Sequence, residues 1–306
     1  MNPKACQICS ESIIKQLDSG VIPWRKPWVV AGGARSHATG NTYSLLNQLL
    51  LGGICGEFIT FRQVQKEGGL VKQGAKSFPI VFWKILDKGE NLISVGETVI
   101  KKRKYVPYLH YYRVFAMQDV EGIQPKFDVD VPNIVCPEDA AEKVWRDYVL
   151  REEIAVHSDY IRSRAFYNPE DDAITIPSIK QFFSAADYYS TVFHEVVHST
   201  GHRKRLNRPL GWKGTAKYAQ EELTAEIGAC ALLAHLGLET ESSQENTAAY
   251  IKFWRDQIAE DNTLIVLAAG RAQKAIELIL NMNPDPDPDV DFDLEVEAVA
   301  EAVAVA

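Results

Sequence analysis

The pentapeptide His194-Glu195-Val196-Val197-His198 constrains this chain more than any other feature. Two imidazoles four residues apart in a strand would stand about 13 Å apart. On a helix they sit one turn apart on the same face, so both can reach a single ion at roughly 2.0–2.1 Å. Glu195, about 100° further round, falls beside such an ion rather than among its ligands. There it can hold a water molecule and take its proton. A catalytic ion of this kind needs a third protein ligand and an open position, so a second element must face the helix across a polar site.

The stretch Glu221-Glu222-Leu223-Thr224-Ala225-Glu226 supplies the candidates. Glu222 and Glu226 share a helical face, so one can ligate while the other orients a ligating imidazole. Spacing leaves the two open; Glu222 is taken as the ligand and Glu226 as the support because their order resembles the third-ligand helix of zincins of the gluzincin kind, whereas Glu221, off that face, fits a solvated acid. His202 competes for the third place, but a continuous helix would carry it about 12 Å from His194. The donor set of two His and a carboxylate suits Zn2+, and would accept Mn2+ or Co2+. Tyr218, His202 and Arg203 are candidate donors to a developing oxyanion, while His157 and His235 fit ordinary packing or surface positions.

A chain of 306 residues exceeds what one core usually serves. Residues 1–125 carry 16 Lys+Arg against 9 Asp+Glu, hence +7; the rest carry 17 against 32, hence −15. The expected class is α+β, in three parts. Residues 1–125 form a mixed α+β nucleic-acid-binding domain, residues 126–283 a mainly helical metal-binding domain with a small sheet, and residues 284–306 an acidic, disordered tail. No apolar run spans a bilayer and no secretory leader is visible, so a cytoplasmic protein is expected. Five scattered cysteines do not suggest a disulfide framework, and Cys6 and Cys9 read as frayed terminal thiols.

Periodicity predicts helices over Cys6–Leu17, Leu45–Leu51, Pro137–Glu153, Ser184–Thr200, Ala216–Leu236, Glu245–Glu260 and Asn262–Leu280. Thr60-Phe61-Arg62-Gln63 reads as a capping box. Ser77–Leu86 and Leu92–Ile100 read as a hairpin turning at Asp87–Asn91, with Tyr105–Met117 as a returning strand. Ile174–Pro177 reads as an edge strand. In the basic half, cations interleave with aromatics as single-stranded nucleic acid requires. Trp24, Arg25, Lys26 and Trp28 share one loop; Arg62, Lys72 and Lys76 surround glycines; Lys101, Lys102, Arg103 and Lys104 precede a tyrosine-rich run.

At these residues the chain resembles the ArdC class of plasmid antirestriction proteins. In the first half the resemblance rests on Gly20-Val-Ile-Pro-Trp24, Thr39-Gly-Asn-Thr-Tyr43, Thr60-Phe-Arg-Gln63 and Tyr112-Arg-Val-Phe115. In the second it rests on His194 through His202, on Arg205-Leu206, and on Tyr218 through Glu226. It implies a single-stranded-DNA-binding domain, shared with the front end of plasmid TraC primases, followed by a zincin-like metallopeptidase domain of the gluzincin kind. It also implies a role in protecting incoming plasmid DNA from host restriction during conjugation; the expected partners are single-stranded DNA and an unknown protein substrate, such as a host DNA-associated protein, with no membrane partner because no apolar run spans a bilayer. A DNA-coating protein whose metal serves only the fold is the alternative.

Overall fold

The computed structural model describes residues 2–25, 33–95, 98–127, 136–159, 164–212, 214–238 and 248–282, with the backbone alone at 85–95, 98–107 and 158–159. The acidic stretch 284–306 lies outside the described residues. In chain order the elements are α1 (Pro3–Asp18), β1 (Ala34–Ser36), α2 (Leu45–Leu50), β2 (Gly56–Thr60), α3 (Phe61–Lys66), β3 (Leu70–Val71), β4 (Phe78–Val95), β5 (Thr98–Ala116) and β6 (Val120–Glu121). They continue as α4 (Pro137–Arg151), β7 (Ala155–Asp159), β8 (Phe166–Asn168), β9 (Ala173–Pro177), α5 (Ala185–Thr200), α6 (Ala216–His235), α7 (Ala248–Glu260) and α8 (Leu264–Ile279). The fold is α+β, as expected.

The first half is built on a four-stranded sheet of order β1-β2-β5-β4, with β3 and β6 paired separately. Thr60 and Gln63 close the anticipated capping box at the start of α3. The hairpin differs from the expectation. β4 does not turn at Asp87–Asn91 but runs on to Val95, antiparallel to β5, with a register shift between Asp87 and Glu90. Asp87 faces Tyr105 and Glu90 faces Arg103, so β4 carries one extra residue there. Gly89 lies in that interval, and glycine serves a bulge as readily as a turn. Lys101 to Lys104 therefore belong to β5 itself.

In the second half a three-stranded sheet of order β7-β9-β8 lies beside the helices. The expected edge strand is instead the central one: β9 pairs parallel with β7 and antiparallel with β8. Pro177 is tolerated because it is the last residue of β9, where its missing N–H ends a ladder rather than interrupting one. The edge that meets the metal helix α5 is β8, whose Tyr167 amide bonds Glu195.

One hydrophobic core crosses residue 125, while the others keep to one side of it. That core joins Cys6, Cys9, Ile13 and Leu17 of α1, Trp24, and Leu49 and Leu50 of α2 to the second half. Its partners there are Leu223 and Ile227 of α6, Trp254 and Ile258 of α7, and Ala268 and Ala272 of α8. Hydrogen bonds cross the same divide, from Ser10 Oγ to the Asn262 carbonyl (3.0 Å) and from the Leu45 amide to Gln273 Oε1 (3.0 Å). Cys6 and Cys9 are thus buried core residues rather than frayed thiols. A fragment ending at residue 125 would expose this shared core to water.

Candidate metal centre

Ser184 caps α5 by accepting a hydrogen bond from the Asp187 amide (3.1 Å). Asp187 in the first turn suits the positive end of the helix dipole. Val192, Phe193, Val196 and Val197 on α5 are fully buried, while His194 and His198 face Glu222 of α6 and Glu195 faces β8. The two helices approach closely at Gly228, where an added Cβ would lie 2.9 Å from Val197 Cγ2. That closeness brings a carboxylate of α6 to the histidines.

The two Nε2 atoms of His194 and His198 are 3.1 Å apart. Glu222 Oε2 lies 3.6 Å from His194 Nε2, and Glu222 Oε1 lies 3.6 Å from His198 Nε2. Ligands at about 2.0–2.1 Å in tetrahedral geometry are separated by about 3.3–3.4 Å. The triad therefore fits one divalent ion with little movement. Among the described residues it is the one group of three or more such donors close enough together to hold a metal.

Glu221 supports this site. It is 1% exposed, accepts from His198 Nδ1 at 3.2 Å, and is gripped by Arg208 through Nε (3.0 Å) and Nη2 (2.7 Å). With its Nδ1 proton committed, His198 presents an Nε2 lone pair to an ion. Glu221 is thus not the solvated acid expected, because the loop carrying Arg208 covers that face of α6. Glu226 does not orient a histidine. It accepts from the Tyr250 hydroxyl (3.2 Å) and lies 3.9 Å from Arg25. His202 is not a ligand either, since its Nδ1 faces Asp172 Oδ2 at 3.5 Å beyond the end of α5.

Glu195, 8% exposed, accepts from the Tyr167 backbone N–H of β8 at 2.8 Å. Burial raises the Glu222 carboxyl, but hydrogen bonding to His194, the charges of both histidines and the Tyr218 hydroxyl bring it below its ordinary value. Burial and the hydrogen bond to Glu222 push Tyr218 up to about 12, so its hydroxyl remains a donor. Of the three candidate oxyanion donors, Tyr218 is beside the triad; His202 is turned to Asp172, and Arg203 is exposed.

Burial disfavours the His194 imidazolium, but hydrogen bonding to Glu222 and the charges of Glu195, Glu226 and Glu222 outweigh it and raise the pKa to about 8. A metal must displace that proton. Apparent affinity for Mn2+ or Zn2+ will accordingly be flat above about pH 8 and fall about tenfold per unit below it, as isothermal titration between about pH 6.5 and 9 will show.

In the basic half, Trp24 is not a stacking platform. It is 1% exposed, sits edge-on to Trp254 at 6.3 Å and donates from Nε1 to the Tyr250 hydroxyl at 3.4 Å. Arg25 lies 4.6 Å from the Tyr250 ring centroid, so this loop segment joins the two halves. Arg62, Lys72 and Lys76 reach the surface, Lys72 donating to the Gln118 carbonyl at 2.8 Å. Lys26 and Trp28 lie outside the described residues, as do the side chains of Lys101, Lys102, Arg103 and Lys104. Sequence reasoning passed over Arg208, and the signal available was a second arginine shortly after Arg205 in an otherwise acidic half.

A family described as zincin-like metallopeptidase matches residues 147–271, and one described as the N-terminal domain of anti-restriction factor ArdC matches residues 4–115. Two DNA primases TraC of Escherichia coli are 29% identical over 300 residues and 31% identical over 294. These alignments cover 90% and 89% of this chain but 20% and 26% of theirs, so the chain spans about a fifth to a quarter of those primases. The crystal structure of the antirestriction ArdC protein from R388 plasmid in its Mn(II)-bound form is 32% identical, with a TM-score of 0.65 over 90% of this chain and 97% of that one. Its metal-free form is 30% identical, with a TM-score of 0.66 over 92% and 100%. With both halves matched in order and a solved relative covered almost end to end, the chain belongs to the ArdC family of antirestriction proteins.

Proposed function

We propose that this protein binds single-stranded plasmid DNA entering a recipient cell and hydrolyses a host protein that engages it, using a Zn2+-dependent peptidase site. The observation that carries the reading is the convergence of His194, His198 and Glu222 with Glu195 alongside. A bound divalent ion would supply Lewis acidity, polarising a peptide carbonyl and lowering the pKa of water. Glu195 takes the proton from the attacking water and passes it to the leaving amine. Tyr218, kept protonated next to Glu222, donates to the carbonyl oxygen as it gains charge. Glu221 and Arg208 hold His198 in its ligating tautomer. The +7 balance of residues 1–125 supports the DNA part of the reading.

Transfer of a plasmid into a restricting recipient tests this in cells. Glu195→Gln should retain single-stranded DNA binding with an undiminished salt dependence, yet lose protection. Protection at the wild-type level in that variant would leave the DNA-coating role as the explanation and remove the peptidase from it.

A further inference from the structure

The Arg205-Leu206 pair takes no part in the metal triad, yet Arg205 is almost completely enclosed, its side chain 2% exposed. Its Nε donates to the Ser199 carbonyl at the end of α5 (2.8 Å). Its other two nitrogens fork onto Asp172, Nη1 at 3.2 Å from Oδ2 and Nη2 on Oδ1. Nη2 also reaches the Tyr167 hydroxyl (3.2 Å), which itself donates to Asp172 Oδ1 (2.8 Å). Asp172 sits at φ 50 in the connection between β8 and β9, a left-handed conformation that aspartate tolerates better than most residues. His202 and Lys204 face the same carboxylate at 3.5 and 3.6 Å. One guanidinium thus ties the β8-β9 connection to the terminus of the helix that carries the histidines.

Tyr167 belongs to this knot through its hydroxyl, while its main-chain N–H, on the open edge of β8, holds Glu195 Oε2. We propose that Arg205 is a positioning residue for Glu195. By fixing β8 against α5 it sets where the Tyr167 N–H meets the Glu195 carboxylate, and hence where the base stands relative to the metal ligands. The two arginines of this loop then divide the work: Arg208 acts on His198 through Glu221, and Arg205 acts on Glu195 through Asp172 and β8. The proposal rests on the reading of Glu195 as the base.

Residue-resolved amide exchange in the metal-free, full-length chain, combined with Zn2+ titration, tests it. Glu195→Ala should speed exchange at the Tyr167 amide by about tenfold or more, because its acceptor is gone. Arg205→Gln and Asp172→Asn should do the same with Glu195 present, while Zn2+ affinity stays within about twofold of wild type, since neither touches the triad. Arg205→Lys keeps the charge but loses the fork, and should fall with Arg205→Gln. On a cleaved peptide these variants should lower kcat and leave KM. If Asp172→Asn and Arg205→Lys leave Tyr167 exchange unchanged while Glu195→Ala accelerates it, Arg205 does not position the base. A parallel fall in Zn2+ affinity would equally overturn the proposal, making Arg205 a support of the whole centre. Failure of the wild type to cleave any peptide would sink the peptidase reading instead, and leaves the exchange result to stand or fall by itself.

Discussion

Glu222→Ala will weaken binding of Zn2+ or Mn2+ by well over the roughly 10–100-fold typical of a residue that only orients a ligand. Removing it leaves two imidazoles and no carboxylate where the three donors now lie within 4.8 Å of one another. Glu226→Gln and His202→Ala make the discriminating controls, because each was an alternative third ligand by sequence spacing. Glu226 is occupied by Tyr250, with Arg25 beside it, and His202 faces Asp172. Both should change metal affinity by only a few fold, Glu226 through its charge near His194. Competition against a chelator of known affinity resolves the three. A Glu226 effect equal to that of Glu222 would overturn the assignment.

Arg208→Leu will be the most destabilising substitution at the site. It strands the Glu221 carboxylate, whose side chain is 2% exposed, and removes donors from the Val197 carbonyl and the Thr200 hydroxyl. Breaking a buried ion pair from one side costs about 3–5 kcal/mol, so thermal unfolding of a 306-residue chain should move down by roughly 5–8 °C. Replacing both partners, as Arg208→Leu with Glu221→Leu, should recover a large part of that loss, since no uncompensated charge remains. Burial raises the Glu221 carboxyl, but hydrogen bonds from His198 and Arg208 and their charges bring it below its ordinary value. Its contribution is therefore complete above the unfolded carboxylate pKa of about 4.3, and disappears as pH falls through the lower folded value. The gap between wild type and Arg208→Leu should narrow as pH falls below about 4.3, as a series of denaturant titrations from about pH 7 downward will show.

The metal helix was legible before any coordinates, because His194 and His198 at a spacing of four, the cap at Ser184 and the apolar Val192, Phe193, Val196 and Val197 all describe one helix with one polar edge. Spacing put Glu222 and Glu226 on one face without ranking them, a resemblance to zincins favoured Glu222, and Glu222 is the one that lies with the two histidines. The role of Glu221 was not legible. Helical periodicity says which residues share a face of an isolated helix, but not that the loop preceding it will cover the adjacent face and convert an apparently solvated acid into a buried partner. Trp24 shows the reverse error: an indole between a proline and two cations looks like a platform for bases, and only the distant Trp254 and Tyr250 reveal it as core. Asp87–Asn91 misled because its composition fits a turn and a bulge alike, and pairing with β5 decides between them. The domain boundary at residue 125 followed a real shift in charge and polarity, and three hydrophobic cores keep to one side of it; the apolar faces of α1 and α2 nonetheless find partners on α6, α7 and α8, which no periodicity announces.

The central claim is that His194, His198 and Glu222 hold a divalent ion at which Glu195 acts as base. Metal content and peptide hydrolysis measured together on wild type and Glu195→Gln address it most directly. One ion per chain in both proteins, with hydrolysis lower in the variant by on the order of 10³, is the expected result. Equal hydrolysis in the two, or a wild-type chain that retains no ion after purification with Zn2+ or Mn2+ supplied, would contradict it.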